Sequence, residues 1–237
     1  MRYDGRNAAQ IRPIKFTPNF TQNSLSSVLV EMGQTVVLCT VNFEESYPSW
    51  MRGSSLPKSW LTAEYSMLPG STHTRSKRER PNVSGRTQEI QRLIGRSLRG
   101  IMDFSKCPES SFLIDCDVLQ ADGGTRTASI NGAYFALSHA VHKLMQQGKL
   151  KANPLKEAIA AISVGISGES FLADLNYQED SKVDLDMNIV MTESLKLIEI
   201  QGSAEKQHFS KTQVIEIINI AEESLKTVFV EQKKVCP

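Results

Sequence analysis

The chain has 237 residues, 40% of them hydrophobic and 22% charged, a balance that excludes a largely disordered protein. Its 27 Lys and Arg stand against 26 Asp and Glu, so a net charge of +1 excludes a polycation that would hold nucleic acid by bulk charge. Four cysteines, Cys39, Cys107, Cys116 and Cys236, form no C-x-x-C pair, which excludes a zinc ribbon and a thioredoxin-like motif, and four thiols in a chain this long are not a disulfide framework.

Residues 26–31 and 34–41 are rich in Val and Leu around Met32-Gly33 and predict a hairpin. Val36-Val37-Leu38 shows no alternation, which predicts a strand buried on both faces. Residues 44–59 carry Pro48, Gly53, Pro57 and five serines and read as a loop, followed by a third strand over 60–65. Residues 68–84, broken by Pro69, Gly70 and Pro81, read as an exposed, mobile basic loop. A helix is expected over 87–104, because Ile90, Leu93, Ile94, Leu98 and Ile101 recur at helical spacing. Arg92, Arg96 and Arg99 fall on the arc opposite that apolar face. A strand follows over 112–118, then a helix over 128–147 with Gly148 as its stop. Two more hairpins are expected, 158–167 with 169–173 around Gly168, and 187–191 with 197–201. Ser210-Lys211-Thr212-Gln213 is a capping-box pattern opening a last helix to about Val230. The fold class is therefore α+β, one domain over 1–237 built from two similar β-then-α halves with mixed sheets packed on helices.

Charge is unevenly placed. Residues 75–100 hold eight basic residues and two acids, a local +6 that leaves −5 on the rest. One basic patch on an acidic protein suits a local polyanion site. Asp122-Gly123-Gly124-Thr125-Arg126-Thr127 lies between strand and helix, where glycines admit close backbone approach and helix-start amides favour an anion. Thr125, Thr127 and Arg126 add donors; the alternative is a tight turn followed by a cap. Gly85-Arg86-Thr87 has the same form at the earlier helix, and is otherwise a helix start with a solvated arginine. Asp174, Glu179, Asp180, Asp184 and Asp186 supply hard oxygen ligands suited to Mg²⁺ or Mn²⁺, with Asp184 and Asp186 on one strand face, or form a solvated acidic loop. His139 and His142 stand three apart without a third ligand and read as helix-surface or core residues; Cys116 reads as a core thiol. Two anion cradles, a basic stripe and an acidic cluster together point to phosphoryl or nucleotidyl chemistry on nucleic acid.

Residues 85–99, GRTQEIQRLIGRSLR, and 113–130, LIDCDVLQADGGTRTASI, resemble the two long signatures of the bacterial ribonuclease PH family. Glu179-Asp180-Ser181 with Asp186-Met187-Asn188 is similar to its acidic motif, and Thr62-Ala63-Glu64-Tyr65, Met67-Leu68-Pro69 and Thr72-His73-Thr74-Arg75 add support in order along the chain. The resemblance implies a phosphorolytic 3′→5′ exoribonuclease that trims the 3′ end of tRNA precursors, releasing nucleoside diphosphates, and whose reverse reaction adds nucleotides. It implies that Arg86, Gly124, Thr125 and Arg126 hold the attacking inorganic phosphate, and that Asp180 and Asp186 hold catalytic Mg²⁺ or Mn²⁺. It implies that Arg75 and Arg78 grip RNA, with Arg92, Arg96 and Arg99 facing RNA or a neighbouring subunit, in a homo-hexamer that is a trimer of dimers. The chain departs from the family pattern at Gly70, at 53–59 and at 77–84.

The alternatives are a catalytically inactive RNA-binding scaffold subunit of an exosome-like ring, or a small-substrate phosphate enzyme. Retention of Arg86, Arg126, Asp180 and Asp186 argues against the first, and the basic loop and arginine stripe against the second. Met1–Arg6 lacks a signal-peptide apolar region and no apolar run reaches bilayer length, so a cytoplasmic protein with reduced thiols and no membrane partner is expected.

Overall fold

The computed structural model describes residues 2, 4–53, 55, 57–204 and 208–235, so Cys236 and residues 54 and 56 of the early loop lie outside the described residues. The first sheet orders its strands β1 (Ile14–Pro18), β2 (Ser26–Met32), β3 (Thr35–Glu44), β5 (Ser110–Gln120), β4 (Ser59–Met67). The β2–β3 hairpin turns at Gly33, whose φ of +58° is the left-handed value a tight turn needs. The β4–β5 pair is parallel, and the connection is made by helix α1 (Gly85–Gly100).

Strand β3 departs from the double burial expected of it. Val37, Cys39 and Val41 are buried, whereas Val36, Leu38 and Thr40 are only partly so. Helix α2 (Thr125–Gln146) packs on the Cys39 side, where Cys39 and Cys116 stand opposite each other with both Sγ atoms near the Ser129 carbonyl. Burial at successive positions instead belongs to β6 (Ile159–Ser167), buried except at Ser167, and β8 (Leu185–Thr192), buried except at Asp186, in the sheet ordered β7 (Ser170–Ala173), β6, β8, β9 (Leu197–Ala204), antiparallel throughout. Strand β6 is packed by both α2 and helix α4 (Lys211–Lys233), whose expected capping box is present at Ser210 and Gln213.

Helix α1 starts at Gly85 behind a Ser84 cap and stops at Gly100, four residues short of the expected end. Buried Ile101 and Met102 are drawn off the helix axis, because Met102 bridges to Leu155 and the Asp103 amide donates to the Pro154 carbonyl. Its apolar face is as expected: Ile90, Leu93, Ile94 and Leu98 are fully buried. The opposite face is not a uniform stripe. Arg92 is exposed, Arg96 pairs with Glu199 of β9, and Arg99 lies over the Trp60 ring and donates to the Leu61 carbonyl at 3.0 Å. A continuous apolar core runs from Val28, Leu93 and Phe135 in the first half to Ile162, Ile189 and Leu225 in the second.

Candidate active site

Helix α2 begins three residues earlier than its apolar pattern suggests, because Gly124, with φ of +65°, turns the chain so that Thr125 becomes the first helical residue. Ser84, Asn176 and Ser210 cap α1, α3 (Tyr177–Asp180) and α4 with their side chains, whereas Gly124 has no side chain to offer. The first α2 amides are thus left for another acceptor. Gly123 is needed for close approach as well as for its φ of +71°: a Cβ there would stand 2.6 Å from the Leu175 carbonyl oxygen. That contact sets the glycine loop against the backbone entering α3 (Tyr177–Asp180), and the Tyr177 amide donates to Asp122 Oδ1.

This junction opens into a cavity of about 650 Å³ lined by Arg86, Glu89, Arg126, Asp180, Asp186 and Gln201, among others. A smaller recess continues from it, sharing Arg86, Arg126, Asp180, Asp186 and Asn188 and adding Gly123, Gly124 and Thr125. Six residues named from the sequence therefore meet in one place: Arg86 from the start of α1, Gly124, Thr125 and Arg126 from the start of α2, Asp180 from the end of α3, and Asp186 from β8. The five other arginines named from the sequence as site residues lie elsewhere, Arg75 and Arg78 on the exposed loop and Arg92, Arg96 and Arg99 along α1.

Arg126 is the best-defined cation. Its Nη2 donates to Glu89 Oε2 at 2.8 Å, while its Nε is buried and has no hydrogen-bond partner among the described residues. A buried guanidinium N–H left over is costly unless an acceptor arrives. Burial pushes the Glu89 carboxyl up, but the hydrogen bond from Arg126, the nearby Gln201 side chain and the charges of Arg126 and Arg86 bring it below its ordinary value. Glu89 stays ionised and orients Arg126. Tyr65, at the β4 end of the same site, donates its hydroxyl to Thr125 Oγ1 at 2.9 Å.

The acidic segment divides into two roles. Asp174 is fully buried and ion-paired, not solvated and not a ligand: Arg12 reaches it with Nε at 2.9 Å and Nη2 at 2.7 Å, and Arg6 with Nη1 at 3.3 Å. Glu179 takes both forks of Arg2. Burial raises its pKa, but Arg2, the Asn176 amide and Arg6 together leave it lowered. Asp184 precedes β8 and accepts from the Gly168 amide, so it does not share the strand position expected beside Asp186. The sequence reading missed Arg2, Arg6 and Arg12, which tie the N-terminal segment to α3 and the glycine loop; three arginines in the first dozen residues were the available signal. It also missed Glu89 and Tyr65, which sit inside motifs it read for other positions. His139 stacks on Phe135 and His142 contacts Gln146, in keeping with surface and core roles.

Among the described residues no three His, Cys, Asp or Glu side chains converge as a closed metal cage. The donor set of the cavity, two carboxylates beside an anion cradle, is nevertheless the kind Mg²⁺ uses, since that ion keeps several waters and adds phosphate oxygens to one or two carboxylates. No helix among the described residues is long and apolar enough to cross a membrane.

Sequence profiles of the 3′ exoribonuclease family match this chain twice, domain 1 over residues 10–142 and domain 2 over residues 157–224. The chain is 54% identical over 226 residues to the ribonuclease PH of Crocosphaera subtropica, covering 95% of this chain and 93% of that protein. Its fold is similar to rice Rrp46, with a TM-score of 0.81 at 19% identity and full coverage of both chains. It is equally similar, at TM-score 0.81 and 19% identity, to a chain of the Archaeoglobus fulgidus exosome with RNA bound to the active site, covering 97% of this chain and 92% of that one.

Proposed function

This chain belongs to the 3′ exoribonuclease family and is a phosphate-dependent 3′→5′ exoribonuclease, and we propose that the cavity between α1, α2, α3 and β8 is where phosphate and the RNA 3′ end meet. The observation that carries this reading is the buried Nε of Arg126, without a hydrogen-bond partner among the described residues, beside the start of α2 that no side chain caps. A phosphate oxygen supplies the acceptor that both lack.

The reaction must bring one anion onto another. Arg86, Arg126 and the α2 amides offset the charge of inorganic phosphate and hold it as the nucleophile. A phosphate oxygen bonds to the phosphorus of the terminal phosphodiester, and the bond from that phosphorus to the preceding nucleotide's O3′ breaks. The released O3′ takes a proton, leaving a nucleoside diphosphate and an RNA shorter by one residue. No enzyme nucleophile is required, in agreement with a sequence that offers no triad. Asp180 and Asp186 would hold a divalent cation, Mg²⁺ or Mn²⁺, which when bound supplies positive charge against phosphoryl oxygens.

The RNA substrates we assign are tRNA precursors with 3′ extensions, gripped by Arg75 and Arg78 on the exposed loop. We place the protein in the cytoplasm and assign a homo-hexamer, a trimer of dimers, whose two sequence modules act as one unit over 1–237. Light scattering that gives a monomer at every salt concentration would sink the hexamer.

Arg126→Ala tests the site. Phosphate-dependent trimming should fall by about 100-fold or more, on the scale of losing a transition-state donor, while RNA binding is retained. Loss of RNA binding in step with activity would remove the dedicated phosphate role.

A further inference from the structure

Tyr65 is buried in the site, 3% exposed, yet carries a polar hydroxyl. Its only hydrogen bond among the described residues is the one it donates to Thr125 Oγ1. Burial raises its pKa, against the opposing pull of Thr125, Arg86 and Arg126, so the phenol keeps its proton throughout the neutral range. A hydroxyl that accepts along one lone pair still has its own proton to place. Thr125 Oγ1 makes no other hydrogen bond among the described residues, its side chain stands at the first position of α2, and it lines the recess shared with Arg86 and Arg126.

We propose that Tyr65 is a positioning residue for phosphate: by donating to Thr125 Oγ1 it fixes that hydroxyl as a donor aimed into the anion recess. The proposal rests on the reading of this recess as the phosphate site. Phosphate oxygens are acceptors, so a hydroxyl free to rotate offers its lone pairs for part of the time and repels the ligand. A hydroxyl whose acceptor side is occupied by a buried phenol offers only its proton. Tyr65 never touches phosphate; it acts through Thr125.

Tyr65→Phe keeps the ring and its packing and removes only the donor. The expected result is a KM for inorganic phosphate raised about 5- to 10-fold, the scale of one weakened hydrogen bond. The KM for RNA and kcat at saturating phosphate should stay within about twofold, because uniform ligand binding is what is lost. In a Thr125→Ser background, which keeps the hydroxyl, Tyr65→Phe should raise the phosphate KM by the same factor. In a Thr125→Val background Tyr65→Phe should cost nothing more, since the hydroxyl it orients is gone. A Tyr65→Phe enzyme with unchanged phosphate KM, equal shifts in both KM values, or multiplying effects of Tyr65→Phe and Thr125→Val would overturn the proposal. Wild-type enzyme that releases nucleotides without any need for phosphate would instead overturn the reading of the recess itself.

Discussion

Arg12 and Asp174 form a buried two-pronged pair, with Nε to Oδ2 at 2.9 Å and Nη2 to Oδ1 at 2.7 Å, and the Arg12 amide adds a third bond to Oδ2 at 2.7 Å. The same guanidinium donates to the carbonyl of Asp122 at 2.5 Å. One side chain from the N-terminal segment thus joins the residue that follows β7 to the loop that opens α2. Asp174 adopts φ of +52°, a left-handed value that this network holds in place.

Removing the Arg12 side chain leaves Asp174 buried with only the longer 3.3 Å contact from Arg6 as its ion pair. Arg12→Ala is expected to lower stability by about 3–5 kcal/mol, the usual cost of breaking a buried pair from one side. The drop in urea midpoint measures it. A change below about 1 kcal/mol, the level of an exposed ion pair, would show that the network is not what holds this junction.

Asp180 and Asp186 line one cavity with Arg126. Asp180→Asn and Asp186→Asn should each lower kcat by about 100-fold or more, with Mn²⁺ affinity weakened in a relaxation titration. Either variant that binds Mn²⁺ as wild type and turns over normally would release that aspartate from the cation role.

Glu179 gives the network a pH signature. Its folded pKa lies below the ordinary value of 4.5, so its contribution to stability is present above that value and is lost as pH falls through the folded one. Glu179→Gln should be less stable than wild type at pH 7. The gap should narrow as pH falls below 4.5 and close once pH lies below the folded pKa, where the wild-type carboxyl is protonated in both states. A gap of constant size between pH 7 and pH 3 would mean that the charge contributes nothing.

Most of the fold was legible because its signals are local. The period of Ile90, Leu93, Ile94 and Leu98 marks α1, and Gly33, Gly148 and Gly168 mark turns whose left-handed φ values favour glycine. The glycine turn that opens α2 was legible for the same reason: Gly124, Thr125 and Arg126, the proposed phosphate cradle, are adjacent in sequence. What was hidden depends on residues far apart. Asp174 reads as one more solvated acid until Arg6 and Arg12 arrive from more than 160 positions away. Arg99 reads as a free cation until Trp60 comes beneath it. Val36 and Leu38 read as core until the helices settle on the Cys39 side of their strand. Tyr65 reads as one aromatic of a strand until its hydroxyl meets Thr125, sixty residues on.

The central claim is that phosphate, not water, cleaves the RNA in this cavity. The most direct measurement incubates the purified protein with Mg²⁺ and an RNA carrying a short 3′ extension, with and without inorganic phosphate, and resolves the released nucleotides by charge. The account predicts nucleoside diphosphates, formed only when phosphate is present. Nucleoside monophosphates released without phosphate would contradict it.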